Sequence, residues 1–132
     1  MSANGTNTNP PLNPANVAFL NVTDQTLSGG SNVISLNLGT PTNGSTVTID
    51  CGARPLQYLT NNVAGFTIAA PANDGSCLVM VTNGASAGTI TFSGFTSEAS
   101  HGDAVTTTNG SRFTLSIWCI NGVSDYRVAA MQ

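Results

Sequence analysis

Charge is scarce in this 132-residue chain: 7% of residues are Asp, Glu, Lys or Arg, against about 25% in an ordinary globular protein. Lysine does not occur, and the only arginines are Arg54, Arg112 and Arg127. Three scattered guanidinium groups cannot form the basic footprint that a phosphate backbone requires, so nucleic acid is a poor partner. A formal net charge of −3 steers nothing strongly. Solubility is left to Asn, Thr, Ser and Gly. Without lysine, a Lys–Asn isopeptide staple is also excluded, and any crosslink within the chain must be a disulfide.

Long apolar runs are missing as well. No window approaches the roughly 18 consecutive apolar residues of a membrane helix, so no membrane partner is expected. The N-terminal stretch MSANGTNTNPPLNPAN has neither the basic nor the apolar region of a signal peptide, and the chain is expected to be cytosolic when made. The three cysteines, Cys51, Cys77 and Cys119, show no CxxC spacing. In a reducing cytosol they behave as small buried apolar groups. The alternative is a disulfide formed after release into an oxidising medium, within the chain or between subunits.

Catalytic equipment is equally thin. His101 is the sole imidazole, and neither a nucleophile elbow nor a glycine-rich phosphate loop occurs. Asp50, Asp74, Glu98, Asp103 and Asp125 are too few and too dispersed to argue for a glycosidase carboxylate pair. Glu98, His101 and Asp103 in SEASHGDAV form the only cluster of His and carboxylates. Without helical i, i+4 spacing or a supporting carboxylate it reads as a solvated polar loop rather than a metal site. The chain is expected not to be an enzyme and to need no cofactor or metal.

What remains is β-structure. Residues 1–16 contain almost nothing apolar and cannot offset their ordering entropy by burial; they read as an extended arm, with Asn9, Pro10, Pro11, Leu12 and Pro14 as its attachment residues. From Val17 to Gln132, runs rich in Val, Ile, Phe, Leu and Thr recur between Gly, Asn, Pro and Ser. Strands are predicted near 17–23, 31–38, 45–51, 55–60, 64–70, 77–82, 88–95, 111–120 and 123–130. Helix signals are lacking, and no internal repeat or coiled coil is evident. The expected fold is all-β: an antiparallel, jelly-roll-like β-sandwich over 17–132 behind the arm.

Asn-Gly occurs at 4, 43, 83, 109 and 121, a pair suited to type I′ hairpin turns. At 121 a two-residue turn would pair Ile120 with Val123, Ile117 with Tyr126, Leu115 with Val128 and Phe113 with Ala130. The opposite face would then carry Thr114, Ser116 and Trp118 against Ala129, Arg127 and Asp125. Trp118, Asp125 and Arg127 are therefore candidate interaction residues, although Trp118 could instead cover the second sheet of the sandwich. The final strand, 123–130, reads as an edge that a neighbouring subunit would cover.

Three stretches, TNGSTVTIDCGARPLQYLTNNVAGFTI, GSCLVMVTNGASAGTITFSGF and GDAVTTTNGSRFTLSIWCINGVSDYRVAAMQ, give the chain from about Gly44 to Gln132 its recognisable rhythm of turns and alternation. In this it resembles small β-domains of tailed bacteriophages and gene transfer agents, found in tail fibres, head fibres, spikes and decoration proteins. The resemblance implies a virion component, often trimeric, made in the host bacterial cytoplasm and attached to other virion proteins by its N-terminal segment. The short length and lack of a fibre shaft favour a decoration, cement or short-spike subunit. The alternative is a receptor-binding tail fibre module that recognises a host surface glycan through Trp118, Tyr58 or Tyr126.

Overall fold

The computed structural model describes residues 33–97 and 101–131. The arm, its boundary at residue 16 and the strand expected over 17–23 lie outside them. The described residues are all-β: β1 (Leu36–Asn37), β2 (Thr46–Thr48), β3 (Leu56–Asn61), β4 (Gly65–Ala69), β5 (Gly75–Asn83), β6 (Thr89–Ser93), β7 (Arg112–Ile120) and β8 (Val123–Met131). Among the described residues no helix is long and apolar enough to cross a membrane.

Pairing departs from the antiparallel jelly roll that the sequence suggests. Odd strands build a five-stranded sheet in the order β1-β3-β5-β7-β8, and even strands build a three-stranded sheet in the order β2-β4-β6. The β1–β3, β3–β5, β2–β4 and β4–β6 pairs are parallel; β5–β7 and β7–β8 alone are antiparallel. Parallel neighbours need a crossover of a dozen or more residues. Here a strand of the opposite sheet serves as that crossover, so the chain winds as a coil. Leu36 pairs with Gln57 and Leu56 with Leu78, giving turns of 21 and 22 residues. In the smaller sheet Thr46 pairs with Thr67 and Gly65 with Thr89, turns of 21 and 24. The chain therefore does carry a structural repeat.

The core lies between the two sheets. Phe66, Ile68 and Ile90 from the smaller sheet meet Leu59, Val79, Val81, Phe113, Leu115, Ile117 and Val128 from the larger one, all buried. Each such side chain contributes about 1.5–3 kcal/mol on burial.

Asparagines hold successive turns of the coil together. Asn43 Oδ1 accepts from Gly65 N at 3.1 Å, and one turn later Asn62 Oδ1 accepts from Ser86 N at 2.8 Å. Inside the coil, Asn61 and Asn83 are fully buried and in register. Asn61 Nδ2 donates to Asn83 Oδ1 at 3.2 Å and to the Gly88 carbonyl at 2.9 Å, and Asn83 Nδ2 donates to the Thr106 carbonyl at 2.5 Å. Such amides are retained inside because the corner carbonyls would otherwise be buried without donors.

The closing hairpin has the predicted register throughout, including Ile120–Val123, Ile117–Tyr126, Leu115–Val128 and Phe113–Ala130. Asn121 (φ 49°) and Gly122 (φ 77°) both occupy the left-handed region, as a type I′ turn demands. The Asn-Gly pairs at 43, 83 and 109 differ. Their asparagines keep negative φ, because they stand at coil corners and loops rather than between adjacent antiparallel strands. The pair at 4 lies outside the described residues.

Cys51 and Cys77 form a disulfide with their Cα atoms 5.0 Å apart, while Cys119 is free and buried. The reading of all three cysteines as plain apolar groups therefore fails for two of them. The coil stacks the corner after β2 beside β5, an adjacency that linear spacing does not reveal.

Candidate interaction surface

The larger sheet turns Gln57, Leu59, Val79 and Val81 inward and leaves Leu56, Tyr58, Leu78 and Met80 on its outer face. Leu56 pairs with Leu78 and Tyr58 with Met80, so these four apolar side chains form one block. Leu56 is 41% exposed and Leu78 38%. Thr60 and Thr82 extend the block along the same strands, and none of these six residues is charged. Sequence reasoning named Tyr58 but missed the other three apolar residues. The available signal was that LQYLTN and CLVMVT carry apolar side chains on both strand faces, more than one core requires.

Trp118, Asp125 and Arg127 occupy the outer face of β7 and β8 as expected, with Trp118 opposite Asp125 and Ser116 opposite Arg127. The indole does not cover the second sheet; that task falls to Phe113, Leu115 and Ile117 on the other side of β7. Nor do the three act as a group. The Asp125 carboxylate turns to the sheet edge, where Oδ1 lies 3.0 Å from His101 Nε2 and accepts from Tyr126 N at 2.8 Å. Arg127 is exposed. Trp118 is half-buried and lines a cleft of about 280 Å³ with Asp74, Gly75, Ser76, Cys119 and Ile120.

The expectation that a neighbouring subunit covers the last edge strand is corrected. The chain covers that edge itself. Thr96 Oγ1 accepts from Ser124 N at 2.6 Å, and Thr96 N and Ser97 N donate to the Ser124 carbonyl. Farther along, Val128 N donates to the His101 carbonyl at 2.6 Å, Asp103 N donates to the Val128 carbonyl at 3.0 Å, and Ala130 N donates to Asp103 Oδ2 at 2.9 Å. Gly102 forms a parallel bridge with Val128. At Gly102 (φ +90°) a Cβ would run into the Val128 carbonyl, so this approach needs glycine.

The His101–Asp103 part of the loop read as solvated thus has a structural task, and both of these residues are engaged in it. Glu98 lies outside the described residues. Among the described residues, no group of three or more His, Cys, Asp or Glu is placed to hold a metal ion.

Behind the strap is an aromatic cluster that the sequence did not disclose. Tyr126 is sandwiched between Phe92 and His101, with both centroid separations 4.0 Å, and Phe95 meets it edge-on at 4.7 Å. Burial, and then the neighbouring Asp125 carboxylate, raise the Tyr126 phenol above its ordinary value of 10.0. With both ring faces covered, the cluster closes the end of the core where the smaller sheet stops two strands short of the larger one.

The attachment residues proposed for the arm, Asn9, Pro10, Pro11, Leu12 and Pro14, lie outside the described residues. Comparison with protein-family models, curated proteins and solved structures finds no match to this chain.

Proposed function

We propose that the chain is a non-catalytic structural protein of a virus particle, a decoration, cement or short-spike subunit held to other virion proteins by its N-terminal arm. Copies associate as trimers through the outer face of the five-stranded sheet. The observation that carries this reading is the uncharged outer block of exposed Leu56 and Leu78 with half-buried Tyr58 and Met80, on a sheet whose β8 edge is already closed. A neutral face can be desolvated without stranding a charge, which would cost several kcal/mol. In a threefold ring the contact is heterologous, one part of this face meeting a different part of the next copy's, and a neutral apolar block suits either side of it.

Sedimentation of the full chain tests association. Wild type is expected to run as a trimer and Leu78→Glu as a folded monomer with unchanged far-ultraviolet dichroism. Wild type that stays monomeric at high micromolar concentration removes the interface. Removal of residues 1–16 tests the arm: particles should lose the subunit, and full occupancy would overturn the arm as anchor.

A further inference from the structure

We infer that the cleft beside Trp118 is a binding subsite for a neutral sugar ring, at the end of the outer sheet face beyond the apolar block of Leu56, Tyr58, Leu78 and Met80. It lies where the start of β5 meets the end of β7: Ser76 is the register partner of Trp118, and Gly75 is that of Cys119. Gly75 lends only backbone to the cleft wall, since a Cβ there would point at Cys51 and away from the indole. Asp74 closes the far wall, fixed there by accepting through Oδ1 from Gly122 N at 3.4 Å and from the Cys119 thiol at 3.8 Å. The same contacts tie the carboxylate to the hairpin turn, so it is positioned before any ligand arrives.

Among the described residues Asp74 Oδ2, Ser76 Oγ and Trp118 Nε1 have no hydrogen-bond partner. The cleft therefore combines a half-buried indole with two acceptors and two donors around it. Indole packs well on flat, weakly polar C–H surface, and a fixed carboxylate makes charge-assisted bonds to hydroxyls. A pyranose presents both on one small body. The volume of about 280 Å³ falls just under the ~300–1,000 Å³ of drug-sized sites, which limits the occupant to a single ring such as a chain end or branch. No cation lines the cleft, and Asp74 would repel a carboxylated sugar, so uronic and sialic acids are selected against.

Trp118 is the only tryptophan, so its fluorescence reports directly on this cleft. Methyl glycosides of glucose, galactose, mannose and N-acetylglucosamine would be titrated into the full chain, with glucuronate as the acidic control. At least one neutral glycoside should give a saturable emission change at millimolar concentration. Asp74→Asn should weaken it about tenfold or more, the size of one lost charge-assisted bond, and Ser76→Ala, which removes a neutral bond, about threefold or more, each variant being checked for native dichroism. Binding should persist in monomeric Leu78→Glu, which shows that the cleft works without association and keeps the two proposals independently testable. No saturable change with any of the four up to about 100 mM, an unchanged affinity in both cleft variants, or a preference for glucuronate would overturn the inference.

Discussion

Tyr126 shows how one residue can carry both packing and pH dependence. Its ring is the middle layer of the Phe92–Tyr126–His101 stack, and its phenol is raised by burial and by Asp125. The folded state thus holds the phenolic proton more tightly than the unfolded chain does. That contribution to stability is complete below the unfolded value near 10 and is lost as pH climbs through the raised folded value. Thermal unfolding between pH 7 and 11.5 should show a melting temperature that falls above pH 10, and Tyr126→Phe should flatten that fall. An equally steep alkaline loss in the variant would assign it elsewhere.

Asn83 makes the second residue-scale case. Asn83→Ala strands the Thr106 carbonyl and removes one of the two acceptors of Asn61 Nδ2, in a site without water access. The expected loss is about 1–3 kcal/mol in urea unfolding. Exposed Asn62→Ala, whose partner Ser86 N can turn to solvent, should cost clearly less. Equal costs would show that burial of the amide ladder is not what matters.

The strap over β8 is best judged as an element, because its hydrogen bonds act together on one edge. Gly102→Ala forces a Cβ against the Val128 carbonyl and should lift the strap at a cost of roughly 1–3 kcal/mol. Amide exchange at Val128 and Ala130 should then accelerate while that at Leu115 stays slow, and the freed edge should promote aggregation. Slow exchange at Val128 in the variant would mean that the strap adjusts without opening.

The same strap marks where sequence reading stops. Every strand predicted after residue 30 has a counterpart among the described residues, because alternation and turn residues are local signals. The hairpin register was also legible, since Asn121-Gly122 fixes it within a few residues. Partners farther away were not. The recurring TNG, TNN and TNG at 42, 60 and 82 announce the turns of the coil, but their spacing drifts with the corner lengths, and each turn is too short to stand out against a Thr- and Asn-rich background. Antiparallel neighbours are the commoner arrangement for short strands without helices, and that prior favoured the wrong pairing.

At the scale of the molecule, three regions are set apart: a core between the sheets, a closed β8 edge, and an uncharged apolar block on the outer face of β3 and β5. Cohesion along the coil depends on neighbouring turns, so a bond that encloses a whole turn restrains more than its local surroundings. Cys51 and Cys77 lie 26 residues apart, enclosing β3 and β4. Closing a loop of that length removes unfolded-state entropy worth about 3.5 kcal/mol in the chain-entropy picture. The Cys51→Ser, Cys77→Ser double variant should therefore unfold about 2–4 kcal/mol more easily in guanidinium, with Cys119 unchanged as the internal control for free thiol. Such a bridge persists only in an oxidising medium. Under the proposed particle role, subunits from released particles should contain one free thiol, and freshly made subunits in the reducing cytoplasm three. Three free thiols on released particles would show that the protein does its work without the bridge.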